Sequence, residues 1–110
     1  MDGRSQSRKY QLTINSPKEH GISDDLILDI LENMLTLDYF CYCYEIGNEK
    51  AREHIHIFIY SHSPIRFGTI KNKFPVAHIE KAYGTVKENR DYIAKQGKWK
   101  QSEKSKTSIE

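Results

Sequence analysis

The chain contains no apolar run near the roughly 20 residues that would cross a bilayer, and its start, Met1-Asp2-Gly3-Arg4-Ser5, has no apolar signal core. A membrane-spanning or secreted protein is therefore not expected, and the setting reads as intracellular. Cysteine is scarce. Cys41 and Cys43 are the only two, and they sit two apart in a strand-like run. That spacing builds no disulfide framework and fits a reducing compartment, while a zinc site would need a second close pair of thiolates or imidazoles. Net charge is also small, at +2, so the overall field does not announce nucleic acid. There is no internal repeat, and only the end of the chain is of low complexity.

With 110 residues, 37% hydrophobic and 29% charged, the chain suits one domain with two packed layers. Residues 1–9 are polar and read as a flexible N-terminus. Tyr10 to Ile14 alternates as a half-buried strand, closed by Asn15-Ser16-Pro17. Ser23 can cap a helix to about Leu35, with Asp24 and Asp25 in its first turn and Leu26, Ile27, Ile30, Leu31 and Met34 on one face. Tyr39 to Ile46 and Glu53 to Tyr60 read as an antiparallel hairpin around Gly47-Asn48. A second helix is expected from Ser63-Pro64 to Lys73, then a short strand from Ala77 to Ala82. Thr85 and Glu88 form a capping box for a third helix, Val86 to about Gln96, with Gly97 as its stop. Lys98 to Glu110 reads as a polar tail or linker.

The first six elements, β-α-β-β-α-β, match the split βαβ, ferredoxin-like α+β arrangement: an antiparallel sheet with two helices on one face. Alternation then sorts the hairpin. Phe40, Tyr42, Tyr44 and Ile46 share one side with Ile55, Ile57 and Ile59, which belong beneath the helices. Glu45, His54 and His56 are left on the opposite side. Gln11, Thr13 and Asn15 join them there, as do His78 and Glu80. Two imidazoles and a carboxylate on one surface can hold a divalent metal. The tyrosine of Tyr92-Ile93-Ala94-Lys95 has a lysine one helical turn away, and the third helix should cross the polar face of the sheet and bring Tyr92 over the three donors. Taken singly, each piece is ordinary: His-x-His pairs on strands arise by chance, and the chain has seven tyrosines. Their order on compatible elements carries the inference.

These residues resemble the HUH endonucleases, named for His-hydrophobic-His, and most of all the Rep replication initiators of circular single-stranded DNA viruses and rolling-circle plasmids. Leu12-Thr13-Ile14-Asn15-Ser16-Pro17 is similar to the family's first motif, with Ser16 where a second Asn is common. Glu45 with His54-Ile55-His56 is similar to the second, and Asn89 to Gly97, containing Tyr92 and Lys95, to the third. His78 to Thr85 looks like the circovirus-type segment before that tyrosine. The resemblance spans residues 10–97 and implies a single-tyrosine nickase and strand-transferase.

In that reading Glu45, His54 and His56 hold Mn²⁺ or Mg²⁺. Tyr92 attacks the scissile phosphate of single-stranded DNA at an origin stem-loop, leaving a 5′-phosphotyrosine and a free 3′-hydroxyl, and Lys95 supplies charge beside it. Arg8, Lys9, Gln11, Thr13, Asn15 and Asn89 are the expected DNA contacts. The nuclease domain would act as a monomer, in a bacterial cytoplasm or a host nucleus. The helicase domain of full-length Rep proteins would lie outside this chain. The alternative is a non-catalytic ferredoxin-like module that binds nucleic acid through aromatic residues on the open sheet face, among them Phe58 and Tyr60.

Overall fold

The computed structural model describes residues 3–46 and 53–102. The expected Gly47-Asn48 turn lies outside them. Five strands form one antiparallel sheet: β1 (Gln6–Asn15), β2 (Tyr39–Ile46), β3 (Glu53–Arg66), β4 (His78–Lys81) and β5 (Lys98–Gln101), in the order β4-β1-β3-β2-β5. Helices α1 (Asp24–Asn33) and α2 (Phe67–Lys73) lie against one face, and α3 (Val86–Ala94) against the other. The first four strands and two helices are the ferredoxin-like unit expected from the sequence.

The two faces have separate cores. Beneath α1 and α2, Tyr10, Leu12 and Ile14 of β1 pack with Ile55, Ile57 and Ile59 of β3, Phe40 and Tyr42 of β2, and Ile27, Leu31, Ile70 and Phe74. Beneath α3, Tyr39, Cys41, Cys43 and Phe58 pack around Ile93. Period-two alternation in the hairpin generates both sets, as the sequence predicts. Caps hold two of the helices in place. The Ser23 side chain accepts from Leu26 N at the start of α1, and Thr85 and Glu88 form the expected reciprocal box on α3.

Three expectations are corrected. Residues 3–9, expected to be flexible, are not a free segment, because β1 begins at Gln6. The first amides of α2 lack intrahelical acceptors, and the segment before β1 provides them: Phe67 N donates to Ser5 O at 2.7 Å and Gly68 N to Gly3 O at 2.9 Å. A side chain at 68 would crowd the Gly3 carbonyl, since a Cβ there would lie 3.1 Å from it.

Helix α2 starts at Phe67 instead of Ser63-Pro64, which belong to the long strand β3. The β1–β3 register slips between Ser7 and Lys9: Ser7 faces Ile65 and Lys9 faces Tyr60. Pro64 sits in that irregularity, where no ladder hydrogen bond is required of it. Hydroxyls serve neighbouring amides there, with Lys9 N donating to Ser7 Oγ and Ser63 N to Ser61 Oγ, each at 3.2 Å.

The tail also begins later than expected. Lys98 to Gln101 form β5, pairing with Tyr44 to Cys41 at the β2 edge. Gly97 permits the approach: a Cβ there would lie 2.9 Å from the Tyr44 carbonyl oxygen.

Candidate functional site

The β2–β3 register places Glu45 opposite His54 and Cys43 opposite His56. One carboxylate thus faces two imidazoles that are themselves two residues apart on one strand. Glu45 Oε2 lies 3.3 Å from His54 Nε2 and 3.5 Å from His56 Nε2. The rings stand edge to face, with centroids 5.3 Å apart. One ligand atom from each residue lies within 4.8 Å of the other two, and the three residues are only partly exposed. Metal–ligand bonds of about 2.1 Å at ordinary coordination angles hold donors roughly 3.0–3.5 Å apart. The spacing and the mixed N/O donor set therefore fit a single divalent cation.

Burial, and next the neighbouring His54, push the His56 imidazole below its ordinary range, with Glu45 acting in the opposite sense. A neutral imidazole is the form that ligates. Its other nitrogen has a partner on the adjacent strand. Thr13 faces His56 across the β1–β3 ladder, with its Oγ1 3.5 Å from Nδ1. If Nε2 is left to a cation, Nδ1 carries the proton and Thr13 accepts it, which fixes the ring.

Among the described residues, Glu45, His54 and His56 are the only group of three or more such side chains that converges. The cysteines take no part. Both are buried beneath α3, where burial pushes the Cys41 thiol up to about 12 and the Cys43 thiol to about 11. His78 and Glu80 lie on the site face as expected. They contact each other at 3.1 Å on the far strand β4 and are not part of the cluster.

Helix α3 crosses the same face, with Ile93 turned into the sheet and Tyr92 half exposed. Lys95, the residue that ends the helix, keeps right-handed helical angles and is exposed. Tyr92 borders a groove of about 240 Å³ with Gln11, Tyr83, Gly84, Glu88 and Asn89. A larger hollow of about 930 Å³ runs between the start of α1 and the β2–β5 edge, and it reaches the donor cluster only at Glu45. Volume is a poor guide here, because donors converge where little space is enclosed.

The expected DNA contacts divide into two groups. Arg8 and Asn15 are exposed, and Asn15 stands opposite His54. Asn89, Gln11, Lys9 and Thr13 are engaged within the protein. Asn89 is 5% exposed. Its Oδ1 accepts from Gln11 Nε2 at 2.6 Å, and its Nδ2 donates to Tyr83 O and Thr85 O at 2.9 and 2.8 Å. It docks α3 and holds the turn before it, and its amide is not open to a base. Lys9 Nζ donates to Gly84 O in that same turn. Sequence reasoning missed the part Thr13 plays beside His56, and it missed Trp99 on β5. The first needs the strand register. The second lies in a four-residue strand too short and too charged to show as one.

No helix among the described residues is long and apolar enough to cross a membrane. No curated protein matches the chain. The sequence does match the Viral_Rep family of viral replication proteins over residues 7–96, from the start of β1 to just past α3, taking in all three donors and the tyrosine helix. The chain belongs to that family and is a Rep-type replication initiator domain.

Proposed function

We propose that this domain is a sequence-specific nickase and strand-transferase for single-stranded DNA, initiating rolling-circle replication with Tyr92 as nucleophile. The observation that carries the reading is the convergence of Glu45, His54 and His56 within 4.8 Å on the sheet face that the helix of Tyr92 crosses. Those three residues would hold Mn²⁺ or Mg²⁺, and the imidazoles favour Mn²⁺ for tightness. When bound, such a cation supplies Lewis acidity toward a non-bridging oxygen of the scissile phosphate.

The chain's own residues do the rest. Tyr92 Oη forms a bond to phosphorus as the bond from phosphorus to the 3′ oxygen breaks. The phenolic proton passes to solvent, and the departing oxygen takes up a proton to become a free 3′-hydroxyl. The phosphotyrosine ester keeps the bond energy, so a later 3′-hydroxyl can displace Tyr92 and reseal the strand. Lys95, one helical turn on, supplies positive charge beside the developing phenolate. Thr13 holds the His56 ring, and Asn89 with Gln11 holds α3 in place. The substrate is the single-stranded part of an origin stem-loop, because a base-paired duplex would not lie flat on a sheet face partly roofed by a helix. A single domain suffices for one nick, so this unit acts as a monomer.

The non-catalytic reading loses its main support. Phe58, which would stack a base on an open sheet, is 0% exposed beneath α3.

The test is a denaturing gel after incubation with single-stranded origin-like DNA and Mn²⁺. A covalent adduct is expected from the wild-type chain, none from Tyr92→Phe, and roughly 10- to 1000-fold less from Lys95→Ala. An adduct that persists in Tyr92→Phe would remove Tyr92 from its role. Reversible binding with no adduct in either metal would remove the nickase.

A further inference from the structure

The registers lay the site face out as rows. Thr13 stands opposite His78 on β4 and His56 on β3, His56 stands opposite Cys43 on β2, and Cys43 stands opposite Trp99 on β5. Directly paired residues of antiparallel strands project to the same side. Two side-chain contacts fix that side for β5. Lys100 reaches Asp24 of α1 at 2.8 Å, so it faces the helical layer. Gln101 accepts from the Tyr39 hydroxyl at 2.8 Å, and Tyr39 belongs to the cluster beneath α3. Trp99 therefore shares the face of Glu45, His54 and His56. It lies two strands from His56, about 10 Å at ordinary strand spacing.

Trp99 is 37% exposed and lies on β5, an edge strand of the sheet among the described residues. At the other side of the face, Tyr83 is 84% exposed and borders the groove of Tyr92. Exposed rings thus stand on either side of the face, Trp99 in the row of His56 and Tyr83 further along the strands, past the Tyr10–Lys81 pair. Aromatic faces accept any base, and they add affinity without sequence preference.

We propose that Trp99 is a base-stacking platform that holds the DNA strand on the side of the donor cluster away from Tyr83. The proposal rests on the nickase reading for its ligand, but it concerns binding alone. Trp99 is the single tryptophan of the chain, so its emission reports on this one position.

The experiment titrates the Tyr92→Phe chain, which cannot form an adduct, with an oligothymidylate of roughly a dozen nucleotides. Trp99 emission and the anisotropy of a labelled oligomer are followed together. Saturable quenching with the same midpoint as the anisotropy is expected. Trp99→Leu, which keeps an apolar residue on the edge strand, should weaken binding roughly tenfold or more, and Trp99→Phe by much less. Binding with unchanged emission, and with Trp99→Leu as tight as its parent, overturns the proposal. If wild-type protein still forms the covalent adduct in that case, the nickase reading stands without the platform. Absence of both binding and adduct sinks the two together. Because quenching is read on the intact indole, loss of fold in Trp99→Leu cannot mask the result.

Discussion

Gln11 on β1 donates a 2.6 Å hydrogen bond to Asn89 on α3, joining the sheet to the helix that carries Tyr92. It is a partly buried polar link, and Asn89 gives both Nδ2 protons to the turn that starts the helix. Replacing Asn89 with Leu strands the Gln11 amide and the Tyr83 carbonyl, while Thr85 O keeps the backbone N–H of residue 89. We expect a loss of about 1–3 kcal/mol of stability by urea denaturation. Adduct formation should fall further than stability accounts for, because α3 loses its orientation. A variant as stable as the parent and fully active would show that apolar packing around Ile93 alone orients the helix.

Much of this arrangement was legible in advance, for a reason that differs by element. The hairpin was clear because both its strands are half-buried on each side, so alternation separates Phe40, Tyr42 and the three isoleucines from Glu45 and the two histidines. The capping box was clear because Thr85 and Glu88 satisfy each other locally. What stayed hidden depends on distant pairing. Pro64 reads as a helix start until β1 is known to pair past it, and residues 98–101 read as a tail until Gly97 brings them against Tyr44. Asn89 looked like a DNA contact because nothing local shows that Gln11 sits beneath it.

The capping box makes α3 sensitive to acid. Backbone and then side-chain hydrogen bonding with Thr85 holds the Glu88 carboxyl below its ordinary value of 4.5. A carboxyl lowered on folding contributes stability that is present above its unfolded value and lost as pH falls through the folded one. Wild type should therefore exceed Glu88→Gln in melting temperature at neutral pH, with the gap closing below pH 4.5. A gap that stays constant into acid would mean the charge of Glu88 is not what caps the helix.

Cation binding should depend on Thr13 although Thr13 touches no cation. Thr13→Val keeps the shape of the side chain and removes the acceptor 3.5 Å from His56 Nδ1. Partners of this kind typically contribute 10- to 100-fold in metal affinity. Calorimetric titration with Mn²⁺ should show a loss near the lower end of that range, since the contact is long. Glu45→Ala should abolish binding, so that Mn²⁺, expected to raise the melting temperature of the wild type, leaves that of the variant unchanged. Equal affinities in Thr13→Val and wild type would leave the orientation of His56 to packing.

Ser16 holds φ 50° and ψ 56°, the one left-handed residue other than glycine among the described residues. The resembled family often has Asn at this place, and Asn tolerates that region better than Ser. Ser16→Asn should stabilise the domain by a few tenths to about 1 kcal/mol. The metal site should be untouched, since the turn is held by its backbone: Ser16 N donates to Glu53 O at 2.8 Å. A destabilised Ser16→Asn would show that the serine hydroxyl matters more than backbone strain.

Gly97 sets how closely β5 lies against β2. An added Cβ would stand 2.9 Å from the Tyr44 carbonyl oxygen, which belongs to the backbone and cannot swing aside. Gly97→Ala must therefore move β5 outward, at a cost of about 1–3 kcal/mol. Amide exchange should quicken along Cys41 to Tyr44, the partners of β5, and stay slow in β1. The strand that moves carries Trp99, so binding of oligothymidylate should weaken in Gly97→Ala while Mn²⁺ affinity holds, because Glu45, His54 and His56 all lie on β2 and β3. If both fell together, the edge strand would be supporting the donor cluster itself, and the separation between a DNA-holding edge and a cation-holding centre would be wrong.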